Sequence, residues 1–213
     1  MGALIGTLVA GKIADKIGRN KSLLLNDIVY VLGAVICTFS LNVTSIAIGR
    51  FIVGVGVGFS SVFVPSFINE ISPKEIRGSI GVLNQLSITI GILVAFIVNS
   101  IFSQISDSVN WRIMFALSII PSVIHFVAAL IMKLESPRWL FVKGDLEGAS
   151  AMIKRLRGNH GVSNELDNLA LEENEKAMTN QPSRLCIKKN ARPLLIGVVI
   201  TFIQQAVGVN AIL

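Results

Sequence analysis

Asn84, Gln85, Gln204, Gln205 and Asn210 are polar residues set inside otherwise apolar stretches. A side-chain amide offers two donors and an acceptor without net charge. A group of them can hold the hydroxyls of a neutral polyol and let it go again. The same pattern is also met by amides that only hydrogen-bond one helix to another. A charged solute would call for buried charges, and Arg50 is the only cation deep in an apolar stretch; Asn26 and Asp27 form a further polar pair. Gln205 and Asn210 are five residues apart, off one helical ridge, so both face a cavity only if the helix loosens near Gly208. No nucleophile–base pair, metal-ligand spacing or nucleotide loop is present, which predicts no enzyme, no cofactor and no metal. Cys37 and Cys186 form no framework.

The elements that must carry these residues are membrane spans. The chain has 213 residues, of which 52% are hydrophobic and 15% charged. Soluble domains carry about 25% charged residues, and a span needs about 20 mostly apolar ones. Five stretches qualify: Ser22–Leu41, Ser45–Ile68, Ser79–Phe102, Ile113–Met132 and Leu194–Leu213. Met1–Ala10 is half that length and reads as the tail of a helix. A secretory signal has its basic region before the apolar core, whereas here Lys12 comes after it.

The net charge of +6 does not imply nucleic acid. Seventeen of the 19 Lys and Arg lie in Lys12–Lys21, Lys74–Arg77 and Lys133–Arg192, which alternate with loops 42–44 and 103–110, where there is no Lys or Arg. That asymmetry is the positive-inside rule and makes the basic side cytosolic. Within Lys133–Arg192, Ala149, Met152, Ile153 and Leu156 recur at helical spacing before Gly158, predicting an amphipathic helix. A second helical stretch, Asn164–Met178, offers Leu166, Leu169 and Ala170 on one face. The expected organisation is a transmembrane bundle over 1–132, a cytosolic linker over 133–192 and a further membrane helix over 193–213. Gly2 and Gly6, with Gly54, Gly56 and Gly58, are small residues that let membrane helices approach closely.

Several motifs together resemble the sugar porters of the major facilitator superfamily. Gly11-Lys-Ile-Ala-Asp15-Lys-Ile-Gly18-Arg19-Asn-Lys21 resembles that superfamily's signature between its second and third helices, and Gly49-Arg50 the pair in the fourth. Pro65-Ser-Phe67-Ile-Asn-Glu70-Ile-Ser-Pro73-Lys-Glu-Ile-Arg77-Gly78, Glu135-Ser-Pro137-Arg138-Trp139-Leu140 and Gln204-Gln205-Ala-Val-Gly208-Val-Asn210 resemble sugar-porter patterns, as does Asn84-Gln85-Leu86. Asn20, Phe67 and Leu134 depart from those patterns.

The resemblance implies an all-α, polytopic bundle of the major facilitator type, incomplete, running from the second to the seventh helix. It implies alternating-access transport of a hexose or related neutral polyol in the full-length parent and a multi-pass location in a lipid bilayer; uniport and proton symport both fit it, with Arg50 the position for a coupling proton in the second. It implies that Gln85, Gln204, Gln205 and Asn210 hydrogen-bond sugar hydroxyls, with Ile88 and Ile92 as apolar lining. Asp15, Arg19, Glu70, Arg77, Glu135 and Arg138 would form a cytosolic gating network; charges that only anchor helix ends at the headgroups are the simpler reading. A transporter-like sugar sensor and an inactive truncated product are the other expectations.

The charge asymmetry has a direct test. In a chain freed of Cys37 and Cys186, Glu75→Cys and Ser106→Cys are expected to react with an impermeant reagent from opposite sides of the membrane. Labelling of both from one side would overturn the topology.

Overall fold

The computed structural model describes residues 1–73, 76–102, 107–158, 162, 165–171, 195–197 and 199. Their elements are α1 (Gly2–Ile17), α2 (Arg19–Thr38), α3 (Val43–Ile71), α4 (Arg77–Phe102), α5 (Asp107–Leu117), α6 (Ile119–Met132), α7 (Pro137–Val142) and α8 (Leu146–Arg157). The chain divides into two compact units, Met1–Leu166 and Asp167–Leu213. Among the described residues of the second unit, 167–171, 195–197 and 199 are helical. The expected span Leu194–Leu213 otherwise lies outside the described residues.

Small residues decide how the first unit packs. Gly2, Gly6, Ala10 and Ala14 recur every four positions of α1 and are its buried residues. They face α3. A Cβ on Gly2 would run into the carbonyl oxygen of Phe51, one on Gly6 into that of Val55, and one on Gly58 into that of Ala3. The two backbones are therefore in contact, as lipid-embedded helices require when dispersion has to replace the hydrophobic drive. Towards the cytosolic end the seam fills out with Ala10, Ala14, Leu23, Phe59 and Phe63, the two phenylalanines stacked at 5.4 Å. On the other face of α3, Gly49 and Gly33 bring α2 as close: a Cβ on Gly49 would meet Gly33 O at 3.0 Å and Cys37 Sγ at 2.5 Å.

Four stretches are long and apolar enough to cross a membrane: Arg19–Thr38, Val43–Ile71, Arg77–Phe102 and Asn110–Met132. They match the four expected spans preceding the linker. One detail differs. α1 continues through Lys12 and Lys16 to Ile17, so these lysines are helical, because nothing stops the helix before Gly18. The expected span Ile113–Met132 is found as one stretch, Asn110–Met132, its helix interrupted only at Ser118 between α5 and α6. Pro121 explains this: it lacks an N–H for the carbonyl of Leu117, and its ring crowds that carbonyl. Ser118 Oγ turns back to Phe115 O at 2.7 Å.

α2 also packs on α5 and α6. At the end opposite the basic loops, Arg112 Nη2 donates to Ser40 O at 3.1 Å, tying the exit of α2 to α5. None of the residues of α4 is buried. After α6 the chain turns through Lys133 in the left-handed region (φ 45°) and enters α7. Ser136 caps α7, accepting from Trp139 N–H at 3.2 Å, with Pro137 in its first turn. Asp145 caps α8 through Gly148 N–H at 2.8 Å. The expected amphipathic helix is α8: Ala149 and Ile153 are buried, and Gly158 at φ 79° ends it.

The α1–α3 seam predicts a sharp contrast between two glycines. Gly58→Val inserts atoms into a backbone contact and is expected to cost about 1–3 kcal/mol, as overpacking does. Gly11 has nothing within 4 Å of its missing Cβ, so Gly11→Ala is expected to be neutral or to stabilise by about 0.5–1 kcal/mol. Thermal unfolding in detergent checks both, and equal effects would remove the seam from the account.

Candidate functional site

The end of the bundle that carries the basic loops is organised around a glycine and a carboxylate. Gly18 links α1 to α2 at φ 104°, a left-handed conformation that a side chain would strain. A Cβ there would also lie 2.6 Å from Glu135 Oε2. The space is used: Glu135 Oε1 accepts the backbone N–H of Arg19 at 2.8 Å, of Asn20 at 3.1 Å and of Ser136 at 3.0 Å. The first amides of a helix have no intrahelical partner and lie at the positive end of its dipole, so a carboxylate is favoured there. The loop after α6 is thereby fastened to the start of α2.

That fastening sets the position of Arg19. Its Nε and Nη2 donate to Glu70 near the end of α3 at 2.9–3.2 Å, and its Nη1 donates to Asp15 of α1 at 2.7 Å. Ser66 Oγ lies 3.4 Å from the same Glu70 carboxylate. Trp139 Nε1–H donates to the carbonyl oxygen of Asp15 at 3.0 Å, and Lys143 covers the Trp139 ring at 5.6 Å. Three helix ends and the post-α6 loop thus meet on one guanidinium and one carboxylate.

Of the six residues expected in a charge network, the structure brings together Asp15, Arg19, Glu70 and Glu135. Arg77 is exposed at the start of α4 and pairs with no carboxylate among the described residues. Arg138 is half-buried in the first turn of α7. Gly18, Ser136 and Trp139 belong to the cluster although only their motif, not their chemistry, pointed to them. Glu135 acts on backbone amides, which have no residue type to read in a sequence.

The second candidate region is α4. Gln85, Ile88 and Ile92, at i, i+3 and i+7, share one face of it. Gln85 and Ile88 are exposed, and Ile92 is half-buried. Gln204, Gln205 and Asn210 lie outside the described residues. Arg50 is exposed on α3, its guanidinium 5.7 Å from the centre of the Phe115 ring.

A set of apolar helices long enough to cross a membrane, packed through glycine and with ion pairs joining their basic ends, is a multi-pass integral membrane bundle of the major facilitator type. The chain belongs to the sugar (and other) transporter family, whose model matches residues 1–213. It is 37% identical over 217 residues to the glucose transporter GlcP of Staphylococcus epidermidis, covering 100% of this chain and 46% of that protein. It is 35% identical over 214 residues to sugar transport protein 1 of Arabidopsis thaliana, covering 100% of this chain and 41% of that one. Its fold superposes on the proton:xylose symporter XylE bound to 6-bromo-6-deoxy-D-glucose with a TM-score of 0.80, at 26% identity over 86% of this chain and 43% of that one. The chain spans less than half the length of these relatives.

The two ion pairs of Arg19 are expected to differ in strength. Asp15 is 73% exposed, where a pair is worth about 0–1 kcal/mol. Arg19 and Glu70 are only 15% and 11% exposed, so breaking that pair leaves a largely desolvated charge alone, which costs more. Double-mutant cycles on unfolding should give a larger coupling for Arg19–Glu70 than for Arg19–Asp15. The reverse order would mean that the buried pair is not what closes this end.

Proposed function

We propose that a protein of the relatives' full length carrying this chain moves a hexose or related neutral polyol across the membrane by alternating access. The observation that carries this reading is Gln85, a neutral amide on the exposed face of a membrane helix with no buried residue, in a chain of the sugar transporter family. An amide at bilayer depth needs a partner. Gln85 presents its hydrogen-bonding groups beside the apolar Ile88 and Ile92, a combination suited to a sugar, which is polar at its rim and apolar on its faces. Gln204, Gln205 and Asn210 are proposed as further hydroxyl-binding groups, on the strength of the motif they form.

The cytosolic cluster is proposed as the gate. Ion pairs that exist in one state and break in the other bias an equilibrium between two bundle arrangements, which need differ by only a few kcal/mol. Arg19 with Glu70, Asp15 and the Glu135 cap would supply that difference, and Arg77 and Arg138 are proposed as further members of the network. Arg50 is proposed as the position through which a coupling proton acts. The likeness to XylE, a proton:xylose symporter, supports a sugar substrate and proton coupling alike.

In a full-length version, Gln85→Ala and Gln205→Ala are each expected to weaken sugar binding several-fold to about tenfold, the loss of one hydrogen bond of about 0.5–1.5 kcal/mol. If the amides served helix packing instead, stability would fall by about 0.6 kcal/mol each and affinity would hold. Titration calorimetry with glucose, paired with melting temperature, separates the two. Unchanged affinity with lowered melting in both variants would sink the sugar-binding role.

A further inference from the structure

Away from the cytosolic rim, α2 carries one charged side chain, Asp27, and α6 carries one ionisable group, His125. They are 98 residues apart in the chain, yet His125 Nδ1 lies 2.7 Å from Asp27 Oδ2. Asp27 follows Arg19 by eight residues and His125 precedes Lys133 by eight. At 1.5 Å per residue both sit about 12 Å below the charged rim, inside a hydrocarbon core about 30 Å thick. An ionisable residue at that depth is costly unless paired, and it marks a functional position.

The surroundings leave Asp27 one charged partner. A cavity of ≈ 250 Å³ beside it is walled by Ile28, Val31, Leu32, Val123 and Phe126, all apolar. Asn26 is buried with its Oδ1 unpartnered, and that atom is an acceptor, which a carboxylate cannot satisfy. The charged groups on the neighbouring helices are engaged elsewhere or lie nearer the rim. On α3, Glu70 binds Arg19 and Arg50 sits over Phe115. On α5, Arg112 lies over Trp111 and binds Ser40. On α1, Asp15 binds Arg19, while Lys12 and Lys16 are in the cytosolic half. Tyr30, one turn along α2, is the other titratable group near Asp27, and its hydroxyl lies 3.4 Å from Ser60 Oγ.

We propose that Asp27 and His125 form a proton-binding site within the membrane, bridging α2 and α6 and separate from Arg50. With Nδ1 turned to Asp27, the ring atom free to exchange is Nε2. The ring is 51% exposed whereas Asp27 is 9% exposed, so the proton enters and leaves on the histidine side. When Nε2 holds the proton, imidazolium and carboxylate sum to zero charge. When the proton leaves, the neutral ring still donates Nδ1–H to Asp27, and the pair keeps one negative charge in an apolar wall. One proton therefore decides whether the α2–α6 contact is neutral or charged. A hydrogen bond that only packs two helices would carry no such exchange.

The test is a ring ¹⁵N and carboxyl ¹³C NMR titration of the 213-residue chain in nanodiscs, with His160→Gln so that His125 is the only histidine. Because interacting groups titrate as a unit, the Asp27 carboxyl signal should move at the same midpoint as the His125 ring. Asp27→Asn, which keeps shape and removes charge, should shift the ring midpoint by about one to three pH units, the size of an opposite-charge contact. A carboxyl signal flat through the ring's titration, or a ring midpoint left in place by Asp27→Asn, overturns the proposal. The first measurement needs no variant at Asp27, so it decides the matter even if Asp27→Asn does not fold.

Discussion

The cytosolic half of this bundle depends on a side chain that is missing. Gly18 lets the chain turn at φ 104° and leaves room for the Glu135 carboxylate against the first amides of α2. Either requirement alone favours glycine; together they exclude every other residue without rearrangement. A carboxylate on a helix N-terminus contributes about 0.3–1 kcal/mol at an exposed site and up to about 2 when partly buried. Its larger effect is geometric. It fixes where α2 begins, and so aims Arg19 between Asp15 and Glu70 and sets the depth of Asp27 below.

Two kinds of helix surface follow from the packing. α1, α2 and α3 touch through glycine, backbone against backbone, and such contacts have no softer alternative arrangement. α4 buries nothing. A transporter of the proposed kind needs both: a rigid group of helices that moves as one body, and an open face where a solute can be met and released. The Arg19 pairs with Asp15 and Glu70 join the ends of α1, α2 and α3, inside that rigid group, so a change in them is confined to the helix ends. Near water their energies are of the same order as the difference between two conformations, whereas a glycine seam in contact along several turns cannot be opened at that cost.

Much of this was legible in the sequence, for identifiable reasons. The four described spans follow from apolar length, and α8 from its period and from Gly158. Asp15, Arg19, Glu70 and Glu135 were recognisable as a set because their motifs resemble a family's. What stayed hidden depends on long-range placement or on backbone. Glu135 recognises N–H groups, which every residue but proline has. The one-residue interruption at Ser118 follows from Pro121, but a membrane helix often carries proline without one, so composition alone does not separate the outcomes. Asp27 was noted as a polar residue beside Asn26, yet His125 lies 98 residues away and only the packing of α2 on α6 joins them.

The polar groups at depth divide by charge, and physics explains the division. Asp27 is enclosed between helices and paired, while Gln85 stands on an open face. A carboxylate cannot be left waiting in hydrocarbon for a partner that comes and goes, since an unpaired charge there costs far more than one hydrogen bond returns. Its partner must belong to the fold, and the one variable such a pair can have is its proton. A neutral amide has a smaller desolvation cost, comparable to the energy of the hydrogen bonds a visiting hydroxyl can make. It can therefore stand partnerless between visits and still bind weakly enough to release. Groups that meet a transported solute are expected to be neutral, and charges deep in the same bundle to be held by other charges.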